Sequence, residues 1–215
     1  MKRQPFKLLG VASSPGLFVG IVAALVVLAG STGRADEQVV RWDIVKFPGG
    51  VATEGGEASA KATDASASQT ETATITMTGS GTFEMPEKDE EGDDVTGGGT
   101  WVITTGGVTT MGTYKVTGVV LWSEAPGTFP STLTDSIGNA ADARAGLAVL
   151  RIKYSDGERG ILVVSCSFIR IVTPTVFEGI TASKGFTDFW KAQRPAFTLF
   201  HVMNEEDDGD DDDEQ

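Results

Sequence analysis

The chain predicts an all-β fold: a small antiparallel β-barrel of about seven or eight strands with one or two short helices in its loops, or alternatively a two-sheet β-sandwich. Three observations carry that expectation. From residue 73 to 85 every odd position is apolar or glycine (Ala73, Ile75, Met77, Gly79, Gly81, Phe83, Met85) and the even ones are Thr, Ser or Glu. This is the two-residue period of a strand wet on one face. Between 146 and 170 two apolar, β-branched runs flank Asp156-Gly157, a strong hairpin signal. Elsewhere glycine- and proline-marked turns separate short alternating stretches, the spacing of meandering strands.

Taken in order, the first strand is expected at 39–47, where Val40, Trp42 and Ile44 alternate with Arg41 and Asp43. Pro48-Gly49-Gly50 ends it. Residues 48–70 are mostly Ala, Ser, Thr, Gly and Glu, with no large apolar side chain after Val51. They read as a flexible linker that buries too little surface to offset its ordering entropy. The 73–85 strand follows, its glycines marking a bend or bulge near the middle. Pro86 stops it, and an acidic loop occupies 86–99. A short strand at 100–105, centred on Trp101, Val102 and Ile103, closes at Gly106-Gly107. The next, at 113–123, sets Tyr114, Val116, Gly118, Val120 and Trp122 on one face. Residues 131–145 are rich in Asp and Ala, with Asp135 as a cap for a short helix over 137–144. A last short helix is expected within 177–190, where Phe186, Phe189 and Trp190 have near-helical spacing. A closing strand runs over 197–203.

The hairpin can be argued to its register. A two-residue loop at Asp156-Gly157 would pair Arg151 with Leu162. A three-residue loop, Ser155-Asp156-Gly157 with Gly157 left-handed, pairs Leu150 with Leu162 and Ala148 with Val164, and carries Cys166 and Phe168 on the same face. A one-residue slip swaps the faces wholesale. The second register collects the cleaner apolar set and is the expected one. It also brings Lys153 against Arg159, a like-charge pair that requires a wet face.

Gly-Thr-aromatic occurs four times, at 81–83, 99–101, 112–114 and 127–129, with irregular spacings that exclude a solenoid or propeller repeat. A turn glycine, a β-branched residue and a core aromatic suit the start of a strand in an up-and-down sheet. Over five residues, Gly97-Gly98-Gly99-Thr100-Trp101 resembles the Gly-x-Trp of lipocalin- and avidin-like barrels. In those families the motif opens the first strand; here it lies mid-chain, and no membership is drawn from it.

Charge and processing bound the function. Lys2, Arg3 and Lys7 precede an apolar run at 17–29, and Gly33-Arg34-Ala35 supplies small residues before a cleavage point. Residues 1–35 therefore read as a signal peptide, and the protein as exported, secreted or periplasmic, with no membrane association after cleavage. The apolar run is shorter than the ~20 residues of a membrane span. Cleavage removes Lys2, Arg3, Lys7 and Arg34 and takes the net charge from −13 to −17. Seven acids lie in 84–94 and nine in 205–214; outside these runs the mature chain sets 14 acids against 12 basic residues, so 36–204 reads as one domain with a nearly neutral body and 205–215 as an acidic disordered tail. The absence of a basic surface argues against nucleic-acid partners.

Few residues carry chemistry. Cys166 is the sole cysteine, which excludes a disulfide framework, and its place on the apolar face predicts a buried thiol. His201 is the sole histidine, so neither a structural zinc site nor any other metal or cofactor is expected. The acidic loop lacks the ligand spacing of an EF-hand. No nucleophile elbow, Ser-x-x-Lys or phosphate-binding glycine loop occurs. Arg170 breaks the apolar series 162–164–166–168 at the hairpin's far end, and a carboxylate such as Glu178 or Asp188 would pair with it at a barrel mouth. Arg170, Tyr154, Glu178 and His201 are the candidate ligand-binding residues, with no catalytic residue assigned. The leading expectation is an exported, non-enzymatic barrel that binds a small apolar or amphipathic molecule. The alternatives are a small-barrel isomerase or cyclase working through Arg170, Tyr154 or Glu178, and an acidic surface protein that binds cations or partners.

Overall fold

The computed structural model describes residues 38–62, 73–85, 94–168 and 177–204. The expected signal peptide, most of the acidic loop, the acidic tail and Arg170 lie outside the described residues. What is described is nearly all strand. A twelve-stranded antiparallel sheet holds the body, and a two-stranded parallel ribbon lies beside it.

β1 (Gln38–Val45) forms where expected, with Val40, Trp42 and Ile44 on the core face. A single 3-10 turn, Pro48–Gly50, follows it, and it is the one helical element among the described residues. The segment expected to be a linker instead holds β2 (Val51–Ala52) and β3 (Ala58–Lys61). Ala58 and Ala60 face the core opposite Met77 and Ile75. Its core face is thus alanine set against larger side chains, a pairing that leaves no apolar alternation to read in the sequence.

The 73–85 stretch breaks into β4 (Thr74–Met77) and β5 (Ser80–Glu84). The break falls at Gly79, whose φ is +156°. A Cβ there would collide with the Tyr114 hydroxyl and the Gly98 carbonyl, so only glycine fits. The bend sends the two halves to different neighbours, β4 to β3 and β5 to β1.

β6 (Gly98–Thr105) and β7 (Val108–Ala125) form a hairpin around Gly106-Gly107, both with positive φ. β7 is longer than expected and its facing differs. Register shifts at Val116/Gly118 and Val119/Leu121 turn Val119 into the core and leave Val120 and Leu121 about half exposed. Bulges of this kind bend and twist a long strand, which strict alternation cannot foresee.

Residues 131–145 form no helix. Asp135 Oδ1 accepts the N–H groups of Ile137 and Gly138, as a cap would, but the chain turns instead of winding. β8 (Thr134–Asp135) pairs in parallel with β2, and β9 (Ala143–Tyr154) begins soon after. The hairpin of β9 with β10 (Arg159–Cys166) has the three-residue register: Leu162 faces Leu150, Val164 faces Ala148 and Arg159 faces Lys153. Gly157 has φ +93°, and Lys153 and Arg159 are exposed.

The helix expected within 177–190 is also absent. β11 (Gly179–Lys184) turns at Gly185 into β12 (Thr187–Phe189), which buries Phe189 and leaves Phe186 fully exposed at the turn. Alternation at Ile180 and Ala182 outweighs the near-helical aromatic spacing. β13 (Lys191–Ala192) pairs with β3, and β14 (Phe197–Asn204) runs antiparallel to β1 over its full length. The described residues alone form fourteen strands rather than seven or eight, because glycine bends and short ribbons divide what the pattern shows as longer runs.

The pairings lead back to their origin. β1 pairs β14, β14 pairs β9, β9 pairs β7, β7 pairs β6, β6 meets β5 at Gly98, and β5 pairs β1. The main core is led by Trp42, Phe83, Tyr154, Phe189 and Phe200, all essentially inaccessible. Trp122 bridges Phe200 and Phe83 at centroid distances of 4.7 and 6.0 Å. A second, smaller cluster sits on the outer face of β1 and β14: Val45, Ala52, Ala143 and Leu199, with Phe47, Phe129 and Ile137 against them. The β2–β8 ribbon supplies part of this cover, and so buries a sheet face that would otherwise be wet.

Candidate functional site

The structure does not bring the candidate residues together. Tyr154 is a core residue. Its hydroxyl donates to the Ser183 carbonyl at 2.8 Å, and its ring meets Trp101 edge-on at 5.7 Å. Burial raises its hydroxyl pKa, and the nearby Asp156 and Glu158 add to the effect. The Lys184 ammonium lies 5.1 Å from the same ring and 4.8 Å from that of Trp101, and ion-pairs with Asp156 at 2.6 Å and with Glu158. This clamp ties the β9–β10 turn to β11.

His201 faces away from the main core, toward the β2–β8 ribbon. Its Nε2 lies 2.6 Å from Asp135 Oδ2, and both side chains are buried. Burial opposes the charge on Asp135, but hydrogen bonds from His201 and from the N–H groups of Ile137 and Gly138 outweigh it and hold the carboxyl below its ordinary value. Arg41 stands opposite His201 across β1 and β14. Its guanidinium grips Asp43 through two bonds, of 2.8 and 3.0 Å, and reaches Glu54 at 2.5 Å. Burial pushes the Asp43 carboxyl up, with Arg41 drawing it back; the guanidinium in turn is held more firmly charged, chiefly by Asp43. An aspartate on one imidazole nitrogen orients the ring, as catalytic dyads require. Here the other nitrogen, Nδ1, is buried with no hydrogen-bond partner among the described residues. Gly138 packs on the ring so closely that a Cβ would come within 2.7 Å of it. The arrangement can clasp the 134–138 turn onto the sheet; it offers a substrate no approach.

Glu178 forms a third grouping. Oε2 accepts the Ser167 N–H at 2.5 Å and Oε1 accepts the Thr198 N–H at 2.8 Å. The Thr198 hydroxyl donates to the Ser165 carbonyl at 2.6 Å, and the Ser165 hydroxyl to the Phe177 carbonyl at 2.6 Å. Glu178 thus pins the end of β10 to the start of β14. Burial raises its carboxyl to about 7 against those hydrogen bonds. Burial, aided by Glu178, also lifts the thiol of Cys166, which lies in the core as expected. Asp188 pairs across from Ser183 on β12 and is exposed. Arg170, its expected partner along with Glu178, lies outside the described residues.

Asp135, Arg41, Asp43 and Lys184 were not among the sequence candidates. Asp43 carried a usable signal, a carboxylate between Trp42 and Ile44, but strand alternation assigns it to a wet face. Among the described residues no group of three or more His, Cys, Asp or Glu side chains is arranged to hold a metal ion. Comparison of the chain with protein-family models, curated protein sequences and solved structures found no match.

Proposed function

We propose that the chain is an exported, non-catalytic interaction module: a closed, side-chain-filled β-barrel whose outer surface and acidic runs meet its partners. The observation that carries this reading is the state of the interior. Trp42, Tyr154, Phe83, Phe189 and Phe200 converge there, each at 1% exposure or less. The ring of pairings through β1, β14, β9, β7, β6 and β5 supports closure of the barrel. Polar groups that would orient a ligand are spent on structure, Tyr154 on Ser183, His201 on Asp135 and Glu178 on two backbone N–H groups. The 1–35 segment directs export, the 36–204 stretch is a single domain, and sixteen of the thirty acids lie in the two runs. Partners of complementary charge, cations or basic surfaces, suit those runs.

One observation favours a second reading, a small ligand bound inside. The Trp42 Nε1–H is buried without an acceptor among the described residues, and a small polar group placed there would satisfy it. Native mass spectrometry of the protein recovered from its host distinguishes the two. The bare mass of a chain lacking 1–35 supports the interaction module; a co-purified small molecule released on denaturation overturns it in favour of the interior ligand.

A further inference from the structure

The β6–β7 hairpin reaches beyond its neighbours. β9 pairs with β7 only from Tyr114 onward, opposite Tyr154. Below that point Ser155 finishes the edge: its N–H donates to the Thr113 carbonyl at 2.8 Å, and its hydroxyl accepts the Thr113 N–H at 3.1 Å. On the edge of β7 away from β6, no strand among the described residues pairs with 108–112. The two-residue Gly106-Gly107 turn makes Thr105 and Val108 a hydrogen-bonded pair, followed by Ile103 with Thr110 and Trp101 with Gly112. The backbone groups of Thr109 and Met111 must then point outward, as those of Thr113 do.

This edge lacks the usual protection against strand addition. No charged residue and no proline occurs from Thr96 to Tyr114. Val108 is 68% exposed and Met111 70%. The short outer strands are guarded by contrast: β12 carries Asp188, and β13 carries Lys191 and is followed by Arg194-Pro195.

We propose that residues 109–111 of β7 are a self-association edge, where a second copy of this chain adds its own β7 antiparallel about a two-fold axis at Thr110. In that register Thr109 of each copy lies opposite Met111 of the other, and each such pair exchanges N–H···O bonds in both directions. Every outward group of 109 and 111 is satisfied, and the ladder ends where Ser155 begins. The second copy's Gly107 falls opposite Thr113, beside Ser155, where a larger turn residue would crowd. Charge selects this edge for a like partner. The chain carries −13, so two copies repel over most of their surfaces, whereas neither brings a charge to this stretch. A two-fold contact of this kind closes on itself and yields a dimer rather than a filament.

Sedimentation velocity on the full chain, from about 1 to about 500 µM, tests this: the weight-average sedimentation coefficient should rise with concentration from that of a monomer toward that of a dimer. Added salt tightens the dimer by screening the acidic bodies. Met111→Pro removes one outward donor while leaving every bond to β6 in place. Thr109→Lys places a charge on the edge. Each raises Kd by about tenfold or more with circular dichroism and melting temperature unchanged. If the proline variant fails to fold, Thr109→Lys decides alone. In the wild type, exchange of the 109 and 111 amides slows with concentration. A chain monomeric throughout, assembly beyond a dimer, dimers indifferent to Thr109→Lys, or a monomer that captures a foreign uncharged strand at this edge would each overturn the proposal.

Discussion

Glu178 sits where two demands collide. Two backbone N–H groups favour its carboxylate, and burial favours its acid; burial prevails and the folded carboxyl titrates at about 7 rather than 4.5. Between those values the folded chain holds a proton that the unfolded chain has lost. The associated stability is complete below pH 4.5 and disappears as pH rises to about 7, a loss of up to ~3 kcal/mol. Urea midpoints of wild type and Glu178→Gln at both pH limits check this: the wild type should weaken relative to the variant as pH rises. Asp135 behaves in the opposite sense, its carboxyl being held low. Asp135→Ala leaves His201 buried with neither ring nitrogen paired, and should cost about 2 kcal/mol in chemical unfolding. The capping by Asp135 of the Ile137 and Gly138 N–H groups was legible in the sequence, but its pairing with His201 and the contacts of Glu178 were not. Asp135 and His201 are 66 residues apart, and Glu178 meets its partners from 11 and 20 residues away. Residue types show which groups titrate but not which loop folds onto them. Cys166 was legible, because strand period alone placed its side chain. Its thiol should resist labelling in the native protein and react fully in denaturant.

At the scale of elements, the β9–β10 hairpin followed from local chemistry: a turn that needs a left-handed glycine, and a register that gathers Leu150, Leu162, Ala148 and Val164 on one side. A Cβ at Gly157 meets nothing within 4 Å, so Gly157→Ala should cost only the strain of its φ of +93°, about 1 kcal/mol in thermal unfolding. Lys184→Met should cost about as much by releasing Asp156, Glu158 and the Trp101 and Tyr154 rings; the acids are about half exposed, so solvent screens that part. Other elements were hidden by their composition. β3 has no large apolar side chain to mark it as a strand: its core-facing residues are Ala58 and Ala60, opposite Met77 and Ile75. β11 lies between two glycines that resemble loop punctuation, and the bulges of β7 leave no trace in a two-residue period.

For the whole molecule, the all-β class was legible, since alternation and turn residues are local. The order of strands was not: β1 lies between β5 and β14, a neighbourhood no short window of sequence contains. The excess of acids acts at this scale as well. Raising salt from about 0.01 to about 0.15 M should raise the melting temperature by screening self-repulsion within a chain of net charge −13, a trend that calorimetry can follow.

The pairing of β1 with β14, from Gln38 opposite Asn204 to Val45 opposite Phe197, also bears on how the chain finds its fold. It joins segments from opposite ends of the described chain, so its loop-closure entropy is met late, after the β9–β10 and β6–β7 hairpins have shortened the distance between them. The seam is then weakly formed at the folding barrier. Substitutions at Trp42 and Phe200 should mainly speed unfolding, whereas those at Leu150 and Leu162 should slow refolding. Opening begins where the two distant segments meet, and while that seam is apart the Trp42 and Phe200 rings stand exposed to a chaperone or a protease.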